Sequence, residues 1–353
     1  MGVTNQNCSV SEEQVRRKRR VRYAGTHPKK FHEKYKELNP GLYPETVAKV
    51  LASGKTPAGA HRSIMVAEVL EALAPCPGEV AVDATLGYGG HAEAILARIQ
   101  PRGRLVGLDV DPLELPKTEG RLRAAGFGPE VFTAVHSNFA GIRKALGELN
   151  IPAVNMVLAD LGVSSMQFDQ PERGFSFRWE GPLDMRLNPG RGRPASALLK
   201  ALSEEGLRDL LMENADEPQA ARLARALAGR NLGSTTELTA AIREALAGVA
   251  REEVERSVRR VFQALRIAVN DEFSALEAFL RVVPECLAAG GRVAILTFHS
   301  GEDRRVKKSF KELQQAGIYA AISEEVVRPG AEEVRSNPRA APAKLRWAVK
   351  KKC

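Results

Sequence analysis

The residues best placed to do chemistry open in the stretch Val80 to His91, V-A-V-D-A-T-L-G-Y-G-G-H. Three apolar residues end at Asp83 and give way to a turn holding Gly87, Gly89 and Gly90. Ile95, Leu96 and Ile99 follow at helical spacing. The pattern reads as strand, tight turn, helix. Glycines let the backbone turn sharply and bring its N–H groups close to a ligand. A carboxylate such as Asp83, closing a strand, stands where open α/β sheets bind their ligands. A second apolar run, R-L-V-G-L-D, ends at Asp109, where a carboxylate can accept both hydroxyls of a ribose. Two further runs, V-N-M-V-L-A-D and V-A-I-L-T-F, end at Asp160 and lead into His299.

The turn is D-x-x-x-G-x-G-G, not G-x-G-x-x-G. A dinucleotide fold wants its third glycine and a pyrophosphate over the helix N-terminus. S-adenosylmethionine has no phosphate and carries an ammonium, so an acidic residue beside the turn suits it better. The plain alternative is a Gly-rich turn in a parallel sheet; Asp109, placed as it is, favours a cofactor site. In such a sheet the end of the Asp160 strand faces the cofactor's reactive group. Asp160 either receives a proton from the acceptor or binds the cofactor's amino acid portion, and spacing leaves both open. His299 is a candidate base or phosphate contact, or a hydrogen-bonded core residue.

The elements that must position these groups alternate. Strands are expected at residues 105–109, 131–136 and 154–160, with helical patterns between them. This predicts an α/β fold with a doubly wound, mostly parallel sheet of the class I, Rossmann-like kind. After Asp160 the pattern changes. Residues 170–193 are rich in Gly, Pro and Arg and too long for a plain connection. There Arg173, Phe175, Phe177, Arg178 and Trp179 can stack on and pair with nucleic acid, or pack as a lid. From Ala195 to about Arg256 helical segments dominate, with a capping-box signature at Ser234-Thr-Thr-Glu237. The expected organisation is a basic N-terminal extension (1–58) and a first part of the sheet domain (59–171). An inserted lid and small all-helical domain (172–256) follows, then a second part with a basic tail (257–353).

The chain has 353 residues, of which 44% are hydrophobic, enough for a sizeable core. Its net charge is +9, and the first sixty residues carry twelve Lys or Arg against five Asp or Glu. Within them Tyr23, Phe31, Tyr35 and Tyr43 are interleaved with lysines, a composition suited to RNA backbone and base stacking, or to a solvated tail. No apolar run is long enough for a membrane span and no signal-peptide pattern opens the sequence. Cys8, Cys76, Cys286 and Cys353 have neither metal-like nor disulfide-like spacing, and the six histidines form no ligand-spaced cluster. A cytoplasmic protein without a bound metal is expected. Monomer and homodimer stay open.

Taken together and in order, D-A-T-L-G-Y-G-G-H, L-D-V-D-P, A-D-L-G-V-S-S, E-R-G-F-S-F with G-P-L-D-M-R, F-Q-A-L-R-I, F-H-S-G-E-D-R and N-P-R-A resemble the RsmH (MraW) family of methyltransferases. The resemblance runs from about His61 to Arg346. It implies S-adenosylmethionine as cofactor and the exocyclic amine of a decoding-centre cytidine in small-subunit ribosomal RNA, or the 30S particle, as substrate. It also implies Gly89, Gly90 and His91 in the cofactor turn, Asp109 at the ribose and Phe139 at the adenine. Asp160 and Gln167 would lie nearer the methyl-donor end. Arg266, Arg304 and Arg339 lie in motifs expected to meet substrate. The sequence departs from the family pattern at Gly301, where Leu is usual. It departs also at Ala341, where an arginine is lost, and in A-D-E-P-Q-A (215–220).

Carbon-5 methylation of cytosine would need a cysteine nucleophile near the acceptor strand end, and neither Cys76 nor Cys286 is placed there. The rivals are a methyltransferase paralogue acting on another RNA nucleotide, an NAD-dependent oxidoreductase on the same sheet, and a non-enzymatic RNA-binding assembly factor.

Overall fold

The computed structural model describes residues 63–352, so the basic arm and its aromatics lie outside the described residues. Seven strands among the described residues form one sheet: β1 (Val80–Asp83), β2 (Arg104–Asp109), β3 (Phe132–His136), β4 (Val154–Asp160), β5 (Leu287–Thr297), β6 (Tyr319–Ile322) and β7 (Lys344–Lys350). Their order is β3-β2-β1-β4-β5-β7-β6. The first five run parallel, whereas β7 is antiparallel to both β5 and β6. The order reverses between β1 and β4, and a crevice opens at the carboxyl ends of strands at such a switch point.

The sheet is buried on both faces, which is why its strands read as near-continuous apolar runs. On one face Met156 and Leu158 pack with α1 (Val66–Leu73) and α2 (Gly90–Ile99), through Val69, Leu73, Ile95 and Leu96. α3 (Leu115–Ala124) adds Leu115 and Leu122 to this face. On the other face Val157 and Ala159 meet α4 (Ile142–Glu148), α11 (Glu272–Cys286) and α12 (Ser300–Gln315) through Ile142, Leu276, Leu280 and Phe310. Each fully buried aliphatic or phenyl side chain contributes roughly 1.5–3 kcal/mol.

Between β4 and β5 the chain leaves the sheet. α5 (Ser165–Asp169) and an irregular stretch lead to α6 (Ala195–Ala201), α7 (Glu204–Ala215), α8 (Ala220–Leu227), α9 (Thr235–Ala245) and α10 (Arg251–Asn270). These helices share one apolar cluster. The expected capping box starts α9: Glu237 N–H donates to Ser234 Oγ, and Glu237 Oε2 accepts from Ser234 N–H. The expected boundary at residue 256 falls inside α10. Val254, Val258, Val261, Phe262 and Leu265 recur there at helical spacing and all pack into the helical cluster, so its core extends nine residues or more past that point. The aromatic-rich stretch before α6 belongs to the same cluster, through Phe175, Leu183 and Met185.

The C-terminal segment is not a free basic tail. K-L-R-W-A-V-K forms β7 inside the sheet, with Lys344 beside Thr297 and Lys350 beside Tyr319. Its charged residues hid the strand; Lys344 and Arg346 both reach Asp303 of α12. β7 runs away from the crevice, so Lys351 and Lys352 stand at the opposite edge of the sheet. A short helix, α13 (Ala331–Ser336), precedes it. No helix among the described residues is long and apolar enough to cross a membrane.

Candidate active site

Four strand ends meet at the switch point. Asp83 closes β1, Asp109 closes β2, Asp160 closes β4, and β5 leads through Phe298 to His299. Between the first two lies the glycine turn, fixed to its neighbours by its backbone. Gly87 N–H donates to Asp109 Oδ2 at 2.7 Å, Gly87 C=O accepts from Thr118 Oγ1, and Tyr88 C=O accepts from Arg121. Two glycines are required sterically. Gly89 has φ +86°, and a Cβ there would stand 2.8 Å from Thr118 Cγ2; a Cβ on Gly90 would stand 2.3 Å from Ser63 Oγ.

The acids around this turn are held away from water. Burial pushes the Asp83 carboxyl up to about 6, and neighbouring Asp160 and Asp109 push the same way against His91. Burial also raises Asp160 to about 7, with the Glu302 carboxylate adding to the effect. Asp109 is raised by burial as well, against hydrogen bonds from Asp111 and Gly87. Burial disfavours the charged form of all three carboxyls, so a cation beside them would stabilise that form. Asp109 spends one lone pair of each oxygen on the N–H groups of Gly87 and Asp111. Each oxygen keeps another lone pair free to accept a further hydrogen bond.

Asp160 is the least satisfied of the set. Its N–H donates to Thr85 Oγ1 at 2.6 Å, which ties the end of β4 to the turn. Its Oδ2 is 3.6 Å from His91 Nδ1, and its buried Oδ1 has no partner. Yet 28% of the side chain is accessible, so a ligand can reach it. Phe139, in a 3-10 turn after β3, is half-buried and meets Phe279 edge-on at 5.5 Å, forming a wall near the end of β3.

His299 stands at the expected strand end but as the N-cap of α12. Its Nδ1 accepts from Glu302 N–H, and its Nε2 lies 3.2 Å from Glu302 Oε1. The expectation that it acts as a base is corrected: the capping bond occupies the lone pair that would take a proton. Glu302, which sequence reasoning passed over, is buried and accepts Phe298 N–H at 2.8 Å. Burial alone would raise its pKa; the His299 hydrogen bond, the charge of Arg266 and the Phe298 N–H bond hold it below the usual range.

Several expected RNA contacts are internal. Arg173 is 6% exposed and donates to Asp111 Oδ2 and to the carbonyls of Arg186 and Leu187. Phe175 is buried in the helical cluster, and Phe177 packs edge-on against Phe262. Arg266 binds Glu272 with two parallel hydrogen bonds of 2.8 Å, both side chains 13% exposed. Arg173 and Phe175 are corrected from nucleic-acid contacts to ion-pair and packing residues, because burial leaves them no surface to offer; Phe177 and Arg266 are half-buried and engaged by Phe262 and Glu272. Trp179 is half-buried, and its carbonyl accepts from Thr235 Oγ1. Arg304 and Arg339 remain near the surface, paired with Asp216 and Asp169.

Gln167 is buried with its amide engaged at both ends: Oε1 accepts Ser164 N–H, and Nε2 donates to Asp111 Oδ2. Asp111 is fully buried and gathers Gln167, Arg173 and the N–H of Leu113. The second acid of L-D-V-D-P was the signal for it. One group among the described residues has metal-like closeness, Glu272, His299 and Glu302. The guanidinium of Arg266 lies on Glu272 and already supplies positive charge there.

Gly301 also has a structural reason. Phe273 occupies the space beside it, with a Cβ there falling 2.6 Å from the ring. The same ring lies under the Arg305 guanidinium at 3.6 Å and beside His299 at 5.8 Å. In A-D-E-P-Q-A, Asp216 reaches Ser300 and Arg304 of α12.

The family model described as the MraW methylase family matches residues 58–351. A ribosomal RNA small subunit methyltransferase H 2 of Alkaliphilus metalliredigens is 51% identical over 350 residues, covering 97% of this chain and all of that one. A ribosomal RNA small subunit methyltransferase H of Sorangium cellulosum is 43% identical over 292 residues, covering 82% of this chain and 90% of its own. Among solved structures, fibrillarin of Aeropyrum pernix with natively bound S-adenosyl-L-methionine is similar at a TM-score of 0.36 and 12% identity, over 80% of this chain and 74% of that one.

Proposed function

The chain belongs to the MraW methylase family, and we propose that it methylates the exocyclic N4 amine of a cytidine in the decoding centre of 16S ribosomal RNA. The methyl donor is S-adenosylmethionine. When bound, it supplies an electrophilic methyl group on a sulfonium. The residues fit that group: the carboxyls of Asp83, Asp109 and Asp160 converge on one crevice, raised in pKa by burial and set to gain from a cation. Asp109 and Phe139 would hold the ribose and the adenine, and the backbone from Gly87 to Gly90 would bring the cofactor close.

The observation that supports the acceptor assignment is the Asp160 side chain at the end of β4, 28% accessible although its Oδ1 is buried and unpartnered. Cytosine's amine is a poor nucleophile because its lone pair is delocalised into the ring. A hydrogen bond from that amine to Asp160 would localise the pair, and the carboxylate would take the proton released as the nitrogen bonds to the methyl carbon and the methyl–sulfonium bond breaks to leave a neutral thioether. The rest of the work is alignment and exclusion of water. Carbon-5 chemistry is disfavoured by position: Cys76 precedes β1 and Cys286 precedes β5, both at the edge of the sheet away from the crevice. The substrate is small-subunit RNA or the 30S particle, met in the cytoplasm. The helical cluster and the basic arm offer the RNA-binding surface.

The test is nucleoside mass spectrometry of small-subunit RNA from cells with and without the gene, with the modified site mapped. Loss of N4-methylcytidine at the decoding-centre site is expected. A methyl lost elsewhere would retain the chemistry and change the nucleotide, making the chain a paralogue. No loss anywhere would favour a non-enzymatic assembly factor. An Asp160→Ala enzyme with full turnover would remove the acceptor assignment.

A further inference from the structure

His91 belongs to the cofactor turn by sequence, yet its side chain turns inward. It is 5% exposed, in the first turn of α2. Its Nε2 lies 2.9 Å from the carbonyl of Ile64. A carbonyl only accepts, so Nε2 carries the hydrogen, and the Nδ1 of a neutral ring is left as a bare lone pair. That lone pair faces Asp160 Oδ2 at 3.6 Å. Two bare acceptors turned toward each other repel unless a hydrogen lies between them.

We propose that His91 is a positioning residue for Asp160: once the carboxylate has taken the proton released by the amine, His91 Nδ1 accepts that hydrogen from Oδ2, which stabilises the protonated carboxyl and strengthens Asp160 as a base. The 3.6 Å separation is longer than a formed hydrogen bond and is of the kind that tightens when a site is filled. The Ile64 carbonyl is what makes the arrangement one-directional, since it fixes the tautomer. Ile64 itself is held by its neighbours: Met65 N–H donates to Glu333 Oε1 at 2.8 Å, and Ser63 packs on Gly90.

Among the described residues, the charged groups that face the pair are acids. Asp83 and Glu333 face the ring, and burial lowers its pKa against both, so it stays neutral. Glu302 faces Asp160, and Asp83 itself feels Asp160 and Asp109. Each of these neighbours is an acid, so each favours a hydrogen on the Asp160 carboxyl over its loss.

This inference rests on Asp160 as the acceptor carboxyl, and the experiment separates the two. Methyl transfer is measured against pH for wild type, H91Q, H91N and D160N, with cofactor affinity measured on each. Glutamine reaches toward Ile64 but offers Asp160 no acceptor, whereas the asparagine carbonyl can stand where Nδ1 stood. H91Q is expected to lose about tenfold in kcat, the worth of one such hydrogen bond. The acidic limb of its profile should move to lower pH, because the protonated carboxyl has lost its partner. Cofactor affinity should change by less than about threefold, and H91N should recover most of the loss.

An unmoved limb in a folded H91Q, with D160N inactive, overturns the role of His91 alone. A loss of cofactor affinity that matches the loss of turnover, with the limb unmoved, overturns it in favour of a cofactor contact. Full turnover in D160N overturns the acceptor reading and this inference with it. Nitrogen NMR of histidine-labelled wild type needs no variant. It should show His91 with Nε2 protonated and Nδ1 bare, and the opposite tautomer overturns the proposal.

Discussion

Replacing Arg173 by alanine separates two readings of one residue. Read from the sequence, the arginine in E-R-G-F-S-F stacks on or pairs with RNA; its loss would then weaken RNA binding and leave the fold intact. The structure puts the guanidinium in the interior, 6% exposed, against an Asp111 carboxylate with no exposure at all. It also donates to two carbonyls of the stretch that leads into the helical cluster. Removing it leaves a buried carboxylate with only Gln167 and backbone N–H groups, and strips two half-buried carbonyls of their donor. Breaking one side of a buried pair costs about 3–5 kcal/mol. In a chain of 353 residues that lowers the melting temperature by roughly 1–2 °C per kcal/mol, or on the order of 5 °C. Urea unfolding followed by circular dichroism measures the stability, and filter binding measures RNA affinity on the protein that stays folded. The double variant R173M/D111L should lose less than R173A, because no charge is left unpaired. Stability of R173A within about 0.5 kcal/mol of wild type, with RNA affinity reduced, would refute the reasoning.

Three other outcomes are expected. Asp160 and Asp83 have folded pKa values raised to about 7 and about 6; raised acids favour the fold while protonated, so their contribution is complete below about pH 4 and fades as pH rises to 7. The cofactor-free protein should therefore gain stability relative to D160N as pH falls from 7 toward 4, and a difference in melting temperature that does not change with pH would count against the burial of that carboxyl. G301L places a side chain where Phe273 stands, a clash expected to cost about 1–3 kcal/mol, and F273A should restore part of it; additive losses in denaturant unfolding would show that the two do not share the space. Deleting residues 1–58 should weaken binding to small-subunit RNA and flatten its salt dependence, and an unchanged slope in a salt titration would make the arm a bystander.

The order of elements was legible in the sequence because their signals are local. Val154 to Asp160 is a run of apolar residues ending in an acid, and the strand has those bounds. Asp83, the glycine turn, Asp109 and Asp160 were legible for the same reason: each is set by its place at the end of a strand, and strand ends can be read one segment at a time. β7 was not legible, because the charged residues that disguise it are balanced by Asp303, forty residues earlier in the chain. Nor was the boundary of the helical cluster, since α10 is one uninterrupted amphipathic helix and only its packing says which core it serves.

What the sequence by itself determined is the set of chemical groups and the strand ends that carry them. What only the tertiary structure decided is which of those groups face the crevice and which are consumed within the protein. Arg173, Phe175 and Arg266 have the same composition as RNA-binding residues, and nothing in their local spacing distinguishes an arginine with a buried partner from one in water. The distinction is made by desolvation, and desolvation depends on segments far apart in the chain: Arg173 on Asp111 across 62 residues, Asp160 on Thr85 across 75. A carboxyl's pKa, a histidine's tautomer and an arginine's availability are properties of those meetings.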